Sequence, residues 1–190
     1  MNSLMLVSPW QAHLNRWDNC QRCELATQRS KMCHARGSLP CDVLFIGEAP
    51  GESEDALGLP FKGPAGHLLD HIIRQGLPDG VSYALTNLVA CFPAEAKKEK
   101  INEPPVEAIR ACIPRLAEIV AMARPKLIVC VGQLAAKWVR REERLLKADA
   151  IRRVDIVHPA AILRANVAQQ GLMIQRSIVQ LANVLEELDA

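Results

Sequence analysis

Three polar side chains that can do chemistry stand at the ends of three apolar runs in this chain of 190 residues. Glu48 follows VLFIG, Asn87 closes the run that begins at residue 82, and His158 follows RRVDIV. A carboxylate, an amide and an imidazole together can bind a polar ligand and move or stabilise a proton. Taken singly, each side chain also fits an ordinary turn, cap or loop role. The three together favour a ligand site.

The loop after the first run is built from small residues. Gly47 lets the backbone leave the strand sharply, Pro50 stiffens the turn, and Gly51 permits close approach of a ligand to the main chain. Phe61 lies further along and is either a core residue or a surface on which a planar base stacks. The loop lacks both the G-x-x-x-x-G-K-[ST] and the G-x-G-x-x-G pattern, so nucleoside triphosphates and dinucleotides are poorly supported.

These candidates depend on the elements that position them. Short apolar runs predict four strands, at 42–46, 82–90, 126–132 and 151–159, and helical spacing of apolar residues predicts helices at 63–76, 104–125, 132–147 and 160–188. Pro114 predicts a kink or a break in the second of these helices, and Gly171 a weak point in the last.

Strand and helix alternate, which predicts the α/β class: a single three-layer α/β/α domain with a four-stranded parallel sheet. Ligands of such folds bind beyond the carboxyl ends of the strands, where the three polar side chains stand.

Composition agrees with one folded domain over 1–190, because 49% of the residues are hydrophobic and 23% are charged. The formal net charge of +2 demands no polyanionic partner, so any such site must be a local basic patch. The sequence contains no run of the roughly 18 apolar residues that a membrane-spanning helix needs, and no basic leader followed by an apolar run. We therefore expect a soluble, cytoplasmic protein that does not bind membranes.

Seven cysteines are present, an odd number that argues against a disulfide framework. The spacing of Cys20 and Cys23 lets both sulfurs face one metal site. For Cys33, Cys41 and Cys130 we expect burial in the core, since the last two flank or lie within apolar strands.

Four motifs in order resemble one known family. GEAPGESEDALGLPFKGPAGHLL, TNLVACFP, IVCVGQLAA and VHPAAILR are similar to motifs of the uracil-DNA glycosylase superfamily, most closely its family 4, the iron-sulfur-containing branch. The resemblance runs from about Cys20 to Arg164. It implies a [4Fe-4S] cluster that ties an N-terminal arm, residues 1–41, to the sheet. The cluster ligands would be Cys20, Cys23, Cys91 and Cys112, and zinc could use the same four thiolates.

The resemblance also implies roles for the strand-end residues. Excision of uracil requires the nucleotide to rotate out of the DNA duplex. Phe61 would then stack on the base, Asn87 would hydrogen-bond its Watson–Crick edge, and His158 would donate to O2 of the departing pyrimidine. Glu48 would position the attacking water or stabilise the cationic sugar. The pocket would be shaped by Gly47, Ala49 and Gly51, whereas Glu52, Glu54 and Asp55 are expected to be solvated or to structure the loop.

The partner implied is DNA that contains uracil. Ile162, Leu163 and Arg164 match the segment that enters the duplex beside the extruded base, although Ile162 also fits an ordinary helix start. We expect a monomer that hydrolyses the glycosidic bond and leaves an abasic site. Two departures, Ala49 in the loop and the twenty residues between Cys91 and Cys112, keep two alternatives open. These are a glycosylase for another modified base and a non-catalytic iron-sulfur module that binds DNA.

Overall fold

The computed structural model describes residues 7–94, 103–142 and 151–189, without the side chains of 186–189. The strands are β1 (Arg36–Gly37), β2 (Val43–Gly47), β3 (Tyr83–Asn87), β4 (Leu127–Val131) and β5 (Arg152–Ile156). The helices are α1 (Pro9–Trp17), α2 (Glu52–Leu57), α3 (Pro64–Gly76), α4 (Val106–Ala123), α5 (Gln133–Arg141), α6 (Pro159–Arg164) and α7 (Val167–Asp189), with a 3₁₀ turn at Glu24–Thr27. The predicted helical residues 143–147 lie outside the described residues, as do most of residues 93–105, which form the insert between Cys91 and Cys112.

The sheet has five strands in the order β1-β3-β2-β4-β5, within the part of the chain that the structure describes. Strands β2 to β5 run parallel, as predicted, while β1 pairs antiparallel with β3. The expectation of a four-stranded, wholly parallel sheet is therefore wrong at this edge. The two residues of β1, Arg36 and Gly37, form no apolar run and no alternation, so sequence periodicity carries no signal for the strand.

Both faces of the sheet are covered. Leu44 and Ile46 of β2 pack into one buried cluster with α4 and α5, whereas Val43 and Phe45 pack into a second cluster with α3 and α7. Side chains of a strand alternate between its two faces, so a strand covered on both sides reads as one continuous apolar run. The three-layer α/β/α arrangement follows from this burial.

Helix continuity differs from the predictions at three positions. Helix α4 continues through Pro114 without dividing. The last predicted helix divides at Ala165 and Asn166, and the Asn166 side chain accepts the backbone N–H of Gln169 at 3.0 Å, as a capping residue does. Gly171 does not interrupt α7, because one glycine costs only about 1 kcal/mol relative to alanine and the helix is held by packing.

No described helix combines the length and the apolar character needed to cross a membrane.

Candidate active site at the carboxyl ends of the strands

Strand register brings Asn87 beside the loop that follows β2. Gly47 is the partner of Asn87 across the two strands. A Cβ atom on Gly47 would lie 2.4 Å from Cζ of Phe61 and 2.5 Å from Oδ1 of Asn87. The ring and the amide therefore flank the bare backbone of Gly47, and both side chains are buried. Any larger residue at position 47 would displace them.

Glu48 and His158 meet at a second glycine. Gly132 lies between β4 and α5 with a left-handed φ of +96°, a conformation that favours glycine. A Cβ atom there would lie 2.9 Å from Oε1 of Glu48 and 3.1 Å from Cβ of His158. Two residues that are 110 positions apart in the chain thus reach one point, because β2, β4 and β5 are parallel neighbours.

A cavity of about 1250 Å³ opens over these residues. Of the predicted site residues, those that line it are Glu48, Ala49, Gly51, Phe61, Asn87, His158 and Arg164. Gly47 and Leu163 are not among the residues that line the cavity. The cavity is larger than one nucleobase requires, and Phe92, Pro93 and Glu103, from either end of the insert, also line it.

Burial shapes the protonation of Glu48. It raises the pKa of this carboxyl to about 7, from an ordinary value of 4.5. This value already includes a smaller rise from the negative charge of Glu103 and an opposing effect of the positive charge of Arg164. Near neutral pH the carboxyl therefore exchanges readily between its two protonation states.

His158 is neutral at physiological pH. Burial lowers its pKa to about 4, and the charge of Arg164 lowers it as well. The backbone N–H of Ala160 donates to Nδ1 at 3.2 Å. A neutral imidazole that accepts at Nδ1 carries its proton on Nε2, so the ring offers a neutral N–H donor.

Phe61 is held in a strained backbone conformation, with φ at +56°. Arg36 of β1 donates to the carbonyl of Pro60 at 2.8 Å and to that of Phe61 at 3.1 Å, and Asp70 pairs with the same guanidinium at 2.6 Å. A phenylalanine in the left-handed region persists only where its surroundings determine it, and such residues concentrate at functional sites.

Glu54 organises the loop from the other side. Its Oε1 accepts the backbone N–H groups of Lys62 at 2.7 Å and Gly63 at 2.6 Å, while Oε2 accepts that of Gly51 at 3.1 Å. Of the two predicted roles for this buried residue, solvated or loop-structuring, the structure shows the second. An acid three residues after the helix-capping Gly51 is a recognisable signal, which sequence reasoning did not use.

The segment predicted to enter DNA is divided between core and surface. Leu163 is 44% exposed and Arg164 is exposed beside the cavity. Ile162 is fully buried in the cluster with α3 and α7. The expectation that Ile162 enters the duplex is therefore wrong, and its alternative reading as an ordinary helix residue is right.

The four predicted ligand cysteines lie close to one another. Burial raises the pKa of the Cys23 thiol, and the neighbouring Cys112 and Cys20 thiols add to the shift. Burial likewise raises the pKa of Cys91 to about 11, with Cys112 and Cys23 adding to it. Uncoordinated, the Cys23 and Cys91 thiols are neutral, and metal ligation would be needed to deprotonate them.

The donor set around the four cysteines fits an anionic cluster. Arg29 donates to Sγ of Cys91 at 3.6 Å, and Arg115 donates to Sγ of Cys112 at 3.3 Å. Hydrogen bonds and positive charge at the sulfurs are the usual surroundings of a thiolate-bound iron cluster. Among the described residues, no three His, Cys, Asp or Glu side chains converge as a single ion requires, whereas a cubane holds its thiolates further apart. Cys33, Cys41 and Cys130 are buried, as predicted.

Comparison with known proteins identifies the class. Residues 34–182 match the family model of the Uracil DNA glycosylase superfamily. The Type-4 uracil-DNA glycosylase of Pyrobaculum aerophilum is 32% identical, with 77% of this chain and 80% of that protein covered. That of Saccharolobus solfataricus is 34% identical, over 71% of this chain and 60% of that protein, and that of Archaeoglobus fulgidus is 28% identical, over 76% and 78%.

The chain belongs to the uracil-DNA glycosylase superfamily, and its curated relatives are of type 4, as the motifs indicate. Among solved structures, wild-type SMUG2 of Pedobacter heparinus overlays with a TM-score of 0.48 at 13% identity, over 78% of this chain and 76% of that chain.

Proposed function

We propose that this protein is a uracil-DNA glycosylase of base excision repair, which hydrolyses the N-glycosidic bond of deoxyuridine in DNA and leaves an abasic site. The observation that carries the proposal is the meeting of Phe61, Asn87, Glu48 and His158 around two bare glycines, Gly47 and Gly132. A planar ring, an amide, an acid and a neutral imidazole suit a flipped pyrimidine nucleotide.

Base recognition falls to Phe61 and Asn87. The Phe61 ring stacks on the extruded base, and the Asn87 amide donates to one polar atom of its Watson–Crick edge while accepting from another. The two side chains are held together over Gly47, so they present one slot. Backbone groups of Gly47, Ala49 and Gly51 complete its shape.

His158 stabilises the leaving group. As the bond between C1′ and N1 breaks, negative charge develops on the uracil, and a donor aimed at O2 binds that charge more strongly than it binds the substrate. The neutral tautomer argued above has its donor on Nε2. A low pKa keeps the ring neutral, so Nδ1 remains an acceptor for the Ala160 N–H while Nε2 carries the proton that is donated.

Glu48 acts on the sugar side of the bond. In its ionised form the carboxylate orients the attacking water or stabilises the cationic sugar. The raised pKa suits a group that accepts a proton from water near neutral pH.

Leu163 and Arg164 contact the DNA. Leu163 is an exposed apolar side chain at the end of α6, suited to replacing the missing base in the stack. Arg164 stands between the cavity and solvent, where its charge suits a phosphate.

Cys20, Cys23, Cys91 and Cys112 hold a [4Fe-4S] cluster in this proposal. The cluster supplies a structural tie between the N-terminal arm and the sheet, and no catalytic step passes through it. The whole chain, 1–190, acts as one domain and as a monomer in the cytoplasm. Absorbance near 400 nm together with iron content tests the cofactor, and colourless protein with stoichiometric zinc would contradict it.

Incubation with a labelled oligonucleotide carrying a single uracil, followed by alkaline cleavage, tests the activity. Strand breaks at the uracil position are the expected result, with an oligonucleotide containing thymine as the control. Breaks only at another modified base would show that this base, and not uracil, is the substrate. Retarded migration without breaks would show a DNA-binding module instead.

A further inference from the structure

One fully buried arginine joins the cysteine site to the base-binding strand. Arg115 lies in α4 with no exposed surface. Its Nε donates to Sγ of Cys112 at 3.3 Å, and its Nη2 donates to the backbone carbonyl of Asn87 at 2.5 Å. Its Nη1 donates to the carbonyl of His34 at 3.2 Å and to the hydroxyl of Thr86 at 3.4 Å. Neither motif matching nor strand-end position points to this residue.

The charge of Arg115 needs an anionic neighbour. A cation removed from water costs several kcal/mol unless a negative charge compensates it. Within the described residues, no Asp or Glu side chain lies at ion-pairing distance from Arg115. Its other three contacts are two carbonyls and a hydroxyl, all neutral. A metal-bound thiolate at Cys112 is the one direct contact able to supply the charge.

The same guanidinium also holds the backbone carbonyl of Asn87. Asn87 ends β3, and its carbonyl is the acceptor of the shortest hydrogen bond that Arg115 makes. A guanidinium is rigid and planar, so its donors to Cys112 and to Asn87 keep a set geometry. A shift of Cys112 is therefore transmitted to the backbone that carries the base-binding amide.

We propose that Arg115 is a positioning residue that couples the occupied cysteine site to Asn87. The coupling rests on the proposed function and deepens it. Ligation of Cys112 holds Arg115, Arg115 holds the end of β3, and the Asn87 amide is thereby set for uracil.

Arg29 provides a matched control. It also donates to a ligand sulfur, that of Cys91, and otherwise to the carbonyls of Asp18 and Cys20, but no contact with Asn87 is found among the described residues. Both arginines should therefore influence the cluster, whereas Arg115 alone should influence base binding.

The experiment compares the purified iron-loaded wild type with Arg115→Lys, Arg115→Met and Arg29→Met. Three quantities are measured: kcat and KM on a uracil oligonucleotide, the reduction potential of the cluster, and iron per chain. Both Met variants should shift the potential to more negative values, since a cation and a hydrogen bond to sulfur are lost. Only the Arg115 variants should lose tenfold or more in kcat/KM. Arg115→Lys should keep the potential near that of the wild type yet lose kcat/KM, because one ammonium cannot replace the spread donors.

Wild-type kcat/KM in a folded Arg115→Met protein would overturn the proposal, as would equal losses in Arg115→Met and Arg29→Met. A reciprocal measurement needs no variant: saturating free uracil should increase the iron that the wild type retains against a chelator, because coupling between two binding sites acts both ways. Unchanged iron retention would refute the coupling even if the variants fail to fold. Absence of excision by the iron-loaded wild type would instead mark failure of the proposed function.

Discussion

The pocket and the N-terminal arm both place histidine side chains near carboxylates, but the hydrogen bonding of these histidines differs. In the arm, His13 Nδ1 lies 2.9 Å from Glu118 and its Nε2 lies 3.1 Å from Nδ1 of His34, whose Nε2 lies 2.8 Å from Asp18. Glu118 also accepts from Trp17 at 2.8 Å. Every ring nitrogen of these two histidines is used within the protein.

In the pocket, some polar side-chain atoms have no hydrogen-bond partner within the described part of the chain. Within the described residues, no hydrogen bond reaches the Glu48 carboxylate, and His158 bonds only through Nδ1. Unused donors and acceptors in a cavity are available to a ligand, whereas fully paired ones fix a fold. This difference supports a structural role for the arm histidines and a ligand-binding role for the pocket.

A shifted pKa alone does not distinguish the histidines of the arm from the histidine of the pocket. Burial lowers the pKa of His34 to about 4 and that of His158 to about 4 as well. The two histidines differ in what their nitrogens contact. Perturbed protonation therefore indicates a functional site only together with free bonding capacity.

His158→Ala should have the largest effect on excision among these substitutions. Loss of one donor to a developing anion typically costs roughly a hundredfold to a thousandfold in rate. We expect kcat for uracil excision to fall by about that factor, with DNA affinity nearly unchanged. Single-turnover rates and a binding titration separate the two quantities. Equal losses in rate and affinity would make His158 structural, like His34.

Glu48→Gln should reduce excision by roughly a hundredfold, the lower range for loss of a general base. In the wild type, excision should rise with pH as Glu48 ionises, with a midpoint near its pKa of about 7. The variant should lack this rise. A pH–rate profile measured between pH 5 and 9 checks both statements, and a rise that survives in Glu48→Gln would exclude Glu48 as its source.

The pH dependence of folding stability gives a second test of Glu48. Because the folded pKa is raised above 4.5, the folded state binds more protons than the unfolded state between about 4.5 and 7, so stability falls as pH rises through that window. His158 acts oppositely between about 4 and 6.5, because its folded pKa is lowered. Above pH 7, Glu48→Gln should therefore be more stable than the wild type in denaturant titrations.

Asn87→Asp should change which base is accepted. An ionised carboxylate can only accept hydrogen bonds, so it suits the exocyclic amine of cytosine and loses a donor to uracil. We expect the ratio of cytosine to uracil excision to rise by tenfold or more. Parallel assays on matched oligonucleotides measure it, and an unchanged ratio would remove Asn87 from base recognition.

Glu118→Gln tests the arm and should have the smallest effect on chemistry. The charged acceptor for His13, Trp17 and Arg16 is lost, at a cost of about 1–3 kcal/mol in the free energy of unfolding. The kcat of the folded protein should stay at the wild-type value. Denaturant titration and excision assays check the two outcomes, and a large loss of kcat would erase the contrast between arm and pocket.

Local patterns in the sequence were enough to predict the parallel strands and the placement of the candidate site residues at their ends. A strand buried on both faces must be continuously apolar, and parallel strands must end at one edge. Hence Glu48, Asn87 and His158 could be placed together before any coordinates. The superfamily was recognisable for the same reason, since its motifs occupy those strand ends.

Tertiary structure alone decided the contacts that hold the site. Sequence periodicity does not predict the hydrogen bond from Arg36 to the Phe61 carbonyl. It also does not predict the hydrogen bonds by which Arg115 joins Cys112 to Asn87. A long side chain reaches partners that are set by the packing of distant segments. The burial of Ile162 and the antiparallel β1 were decided in the same way. Spacing along the chain encodes which face a residue occupies, and only the folded chain determines what that face contacts.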